Sequence, residues 1–235
     1  MNNLAHIKSL LKQSVQKSSG AQAVFFKTGP GHYAEHDQFI GVTVPALRKI
    51  AKDFSMLTRA EIQNLLESKI NEERSLALFI LVSQYQKAKN PIKDELYQFY
   101  LDNLKHVNNW NLVDASAHLI VGAHLINGDK EILIRLAKSE ILWERRISIV
   151  STWYFIRNDS LEWTFKIAEL LLGDTHDLIH KAVGWMLREA GKRNEKQLIA
   201  FLEQHAQIMP RTMLRYAIEK FPEQRRKNYL IRRKA

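Results

Sequence analysis

The sequence contains no cysteine, and this absence removes several classes of protein at once. Without thiols the chain has no disulfide, no thiolate metal site and no cysteine nucleophile. Its 235 residues are enough to bury a core without such cross-links. A cysteine-free chain of this size suits a reducing compartment, so we expect a cytoplasmic protein.

Long apolar runs are missing as well. Residues 1–6 lack the apolar core of a signal peptide. No stretch of the chain approaches the roughly 18 apolar residues of a membrane span. We therefore expect neither export nor membrane insertion.

Glycine and proline are scarce and concentrated near the start of the chain. The segment Lys27-Thr-Gly-Pro-Gly31 cannot be the interior of a helix, so it predicts a turn that presents Tyr33. The prolines beyond Pro45 each suit the first turn of a helix. Because strand signals are also nearly absent, the sequence predicts an all-α fold.

Helix-start signals recur about every 35 residues. Thr58-Arg-Ala-Glu61 is a capping box. Further candidate N-caps are Asn71, Asn109, Asp129, Ser160, Thr175 and Asn194. Taken in pairs, first helices are expected near residues 58, 92, 129, 160 and 194, and second helices near 71, 109, 141, 176 and 210. This period lies in the range of helical-repeat solenoids, in which each pair buries a face of its neighbour.

We expect one domain, residues 1–235, with three parts. Residues 1–57 form an N-terminal helical cap with one ordered loop, residues 58–220 form about five to six helical pairs, and residues 221–235 form a basic tail. Pairs stacked in this way form a curved solenoid, expected to be of the right-handed type. The second helix of each pair typically lines its concave side.

Positive charge exceeds negative charge, with a formal net charge of +10. The excess is uneven: residues 1–130 hold 15 lysines and arginines against 12 acids, and residues 131–235 hold 20 against 13. A basic domain is the usual electrostatic footprint of a nucleic-acid-binding protein. The alternative is that these cations only solvate helix faces.

Trp110-Asn-Leu-Val-Asp114 is the most informative stretch of the sequence. Residues four apart on a helix share a face, so the stretch sets an indole beside a carboxylate. In a basic protein this pair suits a ligand that is cationic or becomes so during reaction. The alternative is that Asp114 caps the helix or pairs with an arginine. His118 continues the same face, opposite Leu112, Ser116, Leu119 and Ala123.

Residues 177–193 predict a helix with two different sides. The core side contains Ile179, Val183, Met186, Leu187 and Ala190. The other side is a stripe of Lys181, Trp185, Arg188 and Lys192. An aromatic residue among cations is the usual composition of a recognition surface. The alternative is that Trp185 packs on the adjacent repeat under arginine stems.

Other arginines stand at expected helix starts. Residues 143–146, Trp-Glu-Arg-Arg, open a second helix whose stripe is Arg146, Val150, Trp153 and Arg157. We expect Arg145 or Arg146 to reach the concave side and the other to form a salt bridge with Glu144 or Glu140. Arg211 follows Pro210, where free N–H groups attract anions, so it predicts a phosphate contact, as does Arg215. The basic runs 225–227 and 232–234 are either a polyanion-binding arm or solvated.

The histidines His176 and His180 have the spacing of a zincin helix. Aspartate replaces the required glutamate, and no third ligand is apparent. We therefore expect no metal and no other cofactor.

Several of these strings together resemble the AlkD-like DNA alkylation repair family. They are Phe39-Ile-Gly-Val42 with Pro45-Ala-Leu-Arg48, Trp110-x-x-x-Asp114, Trp143-Glu-Arg-Arg146, and the most specific, Lys181-Ala-Val-Gly-Trp-Met-Leu-Arg-Glu189. The resemblance implies a curved stack of HEAT-like repeats that cradles duplex DNA. Active members of the family are DNA glycosylases that remove cationic N3- and N7-alkylated purines.

The resemblance also implies roles for individual residues. Asp114 matches the catalytic aspartate, and Trp110 and Trp185 match the aromatic pair beside the lesion. DNA-contacting roles fall on Tyr33, Arg146 and Arg188, to which the residue patterns above add Lys181, Lys192, Arg211 and Arg215. The implied partner is duplex DNA with alkylated bases, bound by a monomer in the bacterial cytoplasm or nucleoid.

The chain departs from the family pattern beside Trp110. It has Asn109 and Asn111 where active members tend to have a second aromatic residue and an acid. Two other functions therefore stay open. One is a non-catalytic binder of damaged or branched DNA, and the other is a scaffold for protein partners, a common use of helical repeats.

Overall fold

Helices begin where the sequence has its start signals. The computed structural model describes residues 2–15 and 25–231 of the chain. The first helices are α1 (Asn3–Gln13), α2 (Val44–Asp53), α3 (Arg59–Leu66), α4 (Asn71–Lys87), α5 (Ile92–Asp102) and α6 (Trp110–Ala117), with a 3₁₀ turn at Leu104–His106 between the last two. A π-helical turn, His118–Gly122, follows α6 directly.

The remaining helices continue the alternation. They are α7 (Ala123–Leu125), α8 (Glu131–Ala137), α9 (Leu142–Arg157), α10 (Glu162–Leu170), α11 (Asp177–Arg193), α12 (Glu195–His205), α13 (Arg211–Ala217) and α14 (Glu223–Ile231). Every expected start of a first or second helix lies within two residues of an observed start. The predicted all-α fold is therefore confirmed.

Neither strands nor membrane spans interrupt this pattern in the described ranges. Residues 2–15 and 25–231 contain no β-strand, and an isolated parallel bridge joins Gln38 to Ile70. None of the helices in this part of the chain is long and apolar enough to cross a membrane.

The helix caps divide into confirmed and wrong predictions. Thr58 forms its capping box with Glu61, and the Asn194 side chain accepts from the Gln197 N–H at 3.1 Å. Other caps lie one residue later than expected, because Lys130, Leu161 and His176 occupy the N-cap positions. The candidates displaced in this way are Ser160, Thr175 and Asp129. Asn71 lies inside the first turn of α4, where its side chain is buried.

The chain divides into two compact units, Met1–Ser116 (unit 1) and Ala117–Ala235 (unit 2). In unit 1, helices α2, α3 and α5 pack around α4, which is buried along most of its length. In unit 2, the second helices pack side by side in the order π turn, α9, α11, α13, while α8, α10 and α12 each pack against them. Paired helices in two rows are consistent with a helical solenoid. The single domain, the number of pairs and the curvature stay predictions.

An arginine-anchored turn appears once in each unit, 71 residues apart. Before α4, the Ser68 hydroxyl accepts from the Ile70 N–H at 3.1 Å, and Arg74 donates to the Ser68 carbonyl at 2.6 Å. Before α9, the Ser139 hydroxyl accepts from the Ile141 N–H at 3.0 Å, and Arg145 donates to the Ser139 carbonyl at 2.9 Å. The two turns share the pattern Ser-x-Ile-x-x-Glu-Arg. A separation of 71 residues equals two repeats of about 35 residues, so the two turns support the expected period.

Two glycines let the second helices of unit 2 approach closely. A Cβ on Gly122 would lie 2.2 Å from the Ser151 carbonyl oxygen of α9. A Cβ on Gly184 would lie 2.5 Å from the Met213 carbonyl oxygen of α13. Since real Cβ atoms do not approach backbone oxygens this closely, both positions require glycine for this packing.

Part of the predicted basic tail is helical. Residues 223–231 form α14, and Arg225 in it binds Glu195 at 2.5 Å and lies over the Phe221 ring. The Tyr229 side chain is 5 % exposed, and its burial holds this helix in place. The last basic run, 232–234, lies outside the described residues.

Candidate functional site

Trp110 belongs to an aromatic stack in unit 1. The rings of Phe39 and Phe26 stack at 4.4 Å, and Phe26 stacks on Trp110 at 5.0 Å with an interplanar angle of 15°. Phe25 meets the edge of the Trp110 ring at 5.7 Å and is 66 % exposed. Phe26 therefore covers one face of the indole, and Phe25 contacts it edge to face.

Sequence reasoning missed Phe25 and Phe26. The available signal was two adjacent phenylalanines directly before the turn at 27–31, in a chain with few aromatic residues. That turn forms as expected, with positive φ at Lys27 and Gly31 and a bond of 2.6 Å from the Gly31 N–H to Glu35. It presents Tyr33, which is half-buried.

Asp114 lies one helical turn after Trp110 on α6. Both side chains are half-buried, whereas Leu112 and Val113 between them are fully buried in the core. The core side of α6 thus holds the helix, and the side that carries the indole and the carboxylate is partly accessible.

A buried ion pair lies beneath the aromatic stack. The side chains of Asp37 and Arg74 are 3 % and 4 % exposed and form a salt bridge. Asn71 also donates to Asp37, at 2.9 Å. Buried charges of this kind are tolerated because hydrogen bonds satisfy them.

Asn109 and Asn111 connect the Trp110 segment to this ion pair. Asn109, which is fully buried, donates its side-chain N–H to Asp37 at 2.7 Å. Asn111 donates to the Asn71 side chain at 2.7 Å and to the Ser75 hydroxyl at 3.2 Å. The two residues that depart from the family pattern are therefore part of a buried polar network.

Glu72 holds the loop before α2. Its carboxylate is 4 % exposed and accepts from three successive backbone N–H groups, those of Ile40, Gly41 and Val42, with the shortest bond 2.8 Å from Gly41. Successive N–H groups that converge on one anion form a nest. The string 39–42 is thus held by backbone donors to a carboxylate.

A small cavity of about 100 Å³ lies beside the stack, lined by Phe26, Phe39, Val42, Val44, Leu47, Asn71, Glu72, Ser75 and Asn111. Its lining joins rings of the aromatic stack to polar side chains of α4.

Trp185 has a different environment in unit 2. Its ring meets that of Trp153 edge to face at 4.9 Å, and Trp153 lies 4.5 Å from the His118 ring. His118 is 6 % exposed, so it does not continue the accessible face of α6 as expected. Its ring instead lies against Trp153, at the start of the π-helical turn 118–122.

The side chains of Arg145 and Arg146 both bind residues within unit 2. Arg145 binds Asp174 at 2.6 Å, and Arg146, which is 5 % exposed, donates to the Leu178 carbonyl at 2.5 Å. The expected salt bridge of one arginine is present, although its partner is neither Glu140 nor Glu144. The stripe predicted on α9 is wrong at its first half, because Arg146 and Val150 are buried between packed helices.

The two zincin-spaced histidines organise the start of α11. The His176 Nδ1 accepts from the Leu178 N–H at 3.1 Å, and the His180 ring lies 2.5 Å from the Asp174 carbonyl oxygen. Burial lowers the pKa of His176, which favours the neutral ring that this cap requires. Within residues 2–15 and 25–231, no three histidine or acidic side chains are grouped to hold a metal ion.

The cationic stripe of α11 forms as expected and is paired with acids. Lys181 binds Asp177 at 2.7 Å, Lys192 binds Glu189 at 2.8 Å, and Arg188 binds Glu219 and Glu189. The predicted core side is fully buried, and Trp185 is half-buried among these cations. The lysines of these pairs are exposed, and surface pairs of this kind contribute only about 0–1 kcal/mol.

Two of the carboxylates in these pairs, Asp177 and Glu219, have a lowered pKa. Hydrogen bonding by Lys181 lowers the pKa of Asp177. Hydrogen bonding by Lys220, and then by Arg188, lowers the pKa of Glu219. Both acids therefore stay negative in mildly acidic solution and keep the stripe ordered.

The arginines at the start of α13 are exposed. Arg211 donates to the Leu230 carbonyl at 2.5 Å, and Arg215 lies one turn later. The geometry leaves both guanidinium groups at the surface of unit 2.

Comparison with known proteins identifies the family and the fold of the chain. The model of a family described as "DNA alkylation repair enzyme" matches residues 7–221. A solved structure described as a predicted DNA alkylation repair enzyme from Enterococcus faecalis shares the fold with a TM-score of 0.67, at 14% identity, over 88% of this chain and 96% of that one. No curated protein matches the chain. Because the family model covers nearly the whole sequence, this chain belongs to the DNA alkylation repair enzyme family.

Proposed function

We propose that this protein is a DNA glycosylase that releases cationic N3- and N7-alkylated purines from duplex DNA. Membership of a DNA repair family supports a DNA substrate and an enzyme. The observation that carries the chemistry is the Trp110–Asp114 pair, one turn apart on the partly accessible side of α6.

The reaction needs little from the protein besides electrostatics. An alkylated purine already carries a positive charge, so when the N-glycosidic bond breaks, its electron pair neutralises the departing base. The sugar becomes oxocarbenium-like, and Asp114 stabilises that positive charge and orients a water molecule toward C1′. The water oxygen bonds to C1′ and loses a proton to solvent, which leaves an abasic site.

Aromatic rings recognise the charge of the lesion. The half-buried Trp110 ring attracts a cationic nucleotide by a cation–π contact of about 1–2 kcal/mol when water is excluded. Trp185 offers a second aromatic surface on unit 2.

Cations of unit 2 supply affinity for the phosphate backbone. We assign this role to Lys181, Arg188, Lys192, Arg211 and Arg215, and a DNA-contacting role also to Tyr33 in unit 1. We also assign Arg146 a contact near the lesion. Its side chain donates to the Leu178 carbonyl, so this contact requires the side chain to move. Phosphate contacts make the affinity fall with salt.

The test is release of 7-methylguanine or 3-methyladenine from methylated duplex DNA. We expect Asp114→Asn to slow single-turnover release by about 100-fold or more, the usual cost of removing an electrostatic stabiliser. Asp53→Asn is the matched control, because it removes an exposed carboxylate of the same unit and changes the net charge equally. Undiminished release by Asp114→Asn would contradict the assigned role.

A non-catalytic DNA binder is the second candidate, favoured by Asn109 and Asn111 in place of an aromatic residue and an acid. It predicts salt-dependent binding of methylated or branched DNA without base release. A protein scaffold predicts neither. A fluorescence titration with labelled DNA at 50 and 200 mM salt separates these outcomes.

A further inference from the structure

Asn109 and Asn111 stand directly before and after Trp110, and each is held by a different part of unit 1. Asn109 is bound to the loop residue Asp37, whereas Asn111 is bound to Asn71 and Ser75 on α4. Successive helical residues are about 100° apart around the axis, so positions 109 and 111 are about 200° apart. The start of α6 is therefore held from two sides, with Trp110 between them.

The Asn109 side chain is not used as an ordinary cap. Its backbone carbonyl accepts from the N–H groups of Leu112 and Val113 at 3.1 Å and so begins α6. An asparagine at this place normally bonds its own helix through its side chain. Here the side-chain N–H is directed to Asp37, and the Oδ1 atom is buried without a partner in the part of the chain that the structure describes.

The network is anchored at a point that resists movement. Asp37 accepts from Arg74, Asn71 and Asn109, and Arg74 also donates to the Ser68 carbonyl. Asn71 and Asn111 form a reciprocal amide pair, with bonds of 2.7 and 3.4 Å. Rotation of α6 would have to break bonds on both sides of Trp110 together.

We propose that Asn109 and Asn111 are positioning residues that set the Trp110 ring and the Asp114 carboxylate in place. The asparagines thus replace the expected aromatic residue and acid with a neutral clamp on the same helix end. The proposal rests on the glycosylase function above for its effect on catalysis. Its effect on the Trp110 ring is independent of that function.

The expected size follows from helix geometry. Side chains lie about 5–6 Å from a helix axis, so a rotation of about 20° moves them by roughly 2 Å. A misplacement of about 1 Å at a reacting group costs up to about 100-fold in rate. We therefore expect Asn109→Ala and Asn111→Ala each to slow single-turnover release by about 10- to 100-fold, with DNA affinity changed less than about threefold.

Asn103→Ala is the matched control. Asn103 is also buried in unit 1, and its side chain donates to the Phe99 carbonyl at 2.9 Å, with no bond to the network. Its loss should lower the melting temperature as the clamp variants do. All rates are compared well below the lowest melting temperature, so that unfolding does not contribute.

The readout that a merely structural role would not move is the environment of Trp110. With 5-fluorotryptophan incorporated, the five indoles give separate ¹⁹F signals, and Trp110→Phe identifies that of Trp110. Asn109→Ala and Asn111→Ala should shift or broaden this signal and leave the other four in place, whereas Asn103→Ala should leave all five.

Two results would overturn the proposal. One is a Trp110 signal that stays unchanged in both clamp variants. The other is a shifted signal with a release rate equal to that of Asn103→Ala. If the wild-type protein releases no base, the glycosylase function fails, and the ¹⁹F signals still decide whether the clamp holds the ring.

Discussion

The helices α4 and α9 begin with the same arginine-anchored turn, but the two turns hold different things. In unit 1, Arg74 pairs with Asp37, which also binds Asn109 directly before Trp110. In unit 2, Arg145 pairs with Asp174, whose carboxylate accepts from the His176 N–H at 2.8 Å at the start of α11. Each turn thus anchors the start of a helix that carries a tryptophan.

The distance from anchor to tryptophan differs between the units. In unit 1 the anchored side chain is the immediate neighbour of Trp110, and Phe26 covers one face of the ring. In unit 2 the anchored residue His176 stands nine residues before Trp185, whose neighbours are Trp153 and the cations of its stripe. A repeated device can therefore control a functional ring in one place and only a helix end in another.

Substitution of Arg74 and Arg145 should give the largest losses of unfolding free energy. The larger loss is expected for the more deeply buried arginine. Arg74→Ala leaves the Asp37 carboxylate buried without its counter-charge, so we expect a loss of about 3–5 kcal/mol of unfolding free energy. Arg145 is more exposed, at 19% of its side chain, and Arg145→Ala should cost about 1–3 kcal/mol.

Urea denaturation monitored by circular dichroism measures both arginine variants. Arg157→Ala, at an exposed arginine of α9, serves as the control and should stay within about 0.5 kcal/mol. Equal losses from Arg74→Ala and Arg145→Ala would remove the contrast between the units.

Glycine substitution tests whether packing positions the second tryptophan. A Cβ at position 184 would meet the Met213 carbonyl oxygen and Tyr216 at 2.5 Å, so Gly184→Ala should cost about 1–3 kcal/mol and displace the adjacent Trp185. Gly173→Ala meets nothing within 4 Å and is the control. Thermal unfolding gives the stability, and salt-dependent DNA titration shows whether Trp185 has moved. A neutral Gly184→Ala would show that α11 and α13 separate easily.

Acidification should give the smallest of these effects, the loss of the contribution that His176 makes to the unfolding free energy. The folded pKa of His176 is lowered by burial and by Arg145 and His180, against the opposing effect of Asp174 and Asp177. Its contribution to stability is therefore full above its unfolded pKa near 6.5 and is lost as the pH falls below that value. We expect the loss to stay under about 1 kcal/mol, because one partly buried group is involved.

The matched variant for this test is His176→Asn, which keeps a cap acceptor and removes the titration. Between pH 7.5 and 5.5 the wild-type urea midpoint should fall more than that of His176→Asn. An identical fall in both proteins would show that His176 does not carry the effect.

Helix starts were predictable because they depend on local chemistry. Thr58 with Glu61 and Asn194 mark boundaries through side chains that bond to their own first turn. The prolines mark boundaries through their fixed φ and missing N–H. The two sides of α11 were predictable for the same reason, since a regular helix converts spacing into direction. The contact of His118 with Trp153 has no such local signal, and the predicted place of His118 on the accessible face was therefore wrong.

The polar start of α4 shows more clearly what a local sequence pattern does not predict. A run of Asn-Glu-Glu-Arg-Ser reads as a solvated first turn, yet all five residues are buried. Their partners come from distant parts of the chain: Asp37 is 37 residues before Arg74, and Asn111 is 36 residues after Ser75. Burial of these groups depends on contacts that no local pattern contains.

The sequence by itself determined the all-helical fold, the period of its helix pairs and the placement of Trp110 and Asp114 on one helical face. These follow from capping, proline placement and the 3.6-residue turn, all of which act over a few residues. Only the tertiary structure decided that Phe26 covers one face of Trp110 and that Asn109 and Asn111 are bound to Asp37 and α4. Hydrogen bonds and ring stacking between distant segments depend on three-dimensional packing, and that packing made two apparent departures from a family pattern into a buried clamp.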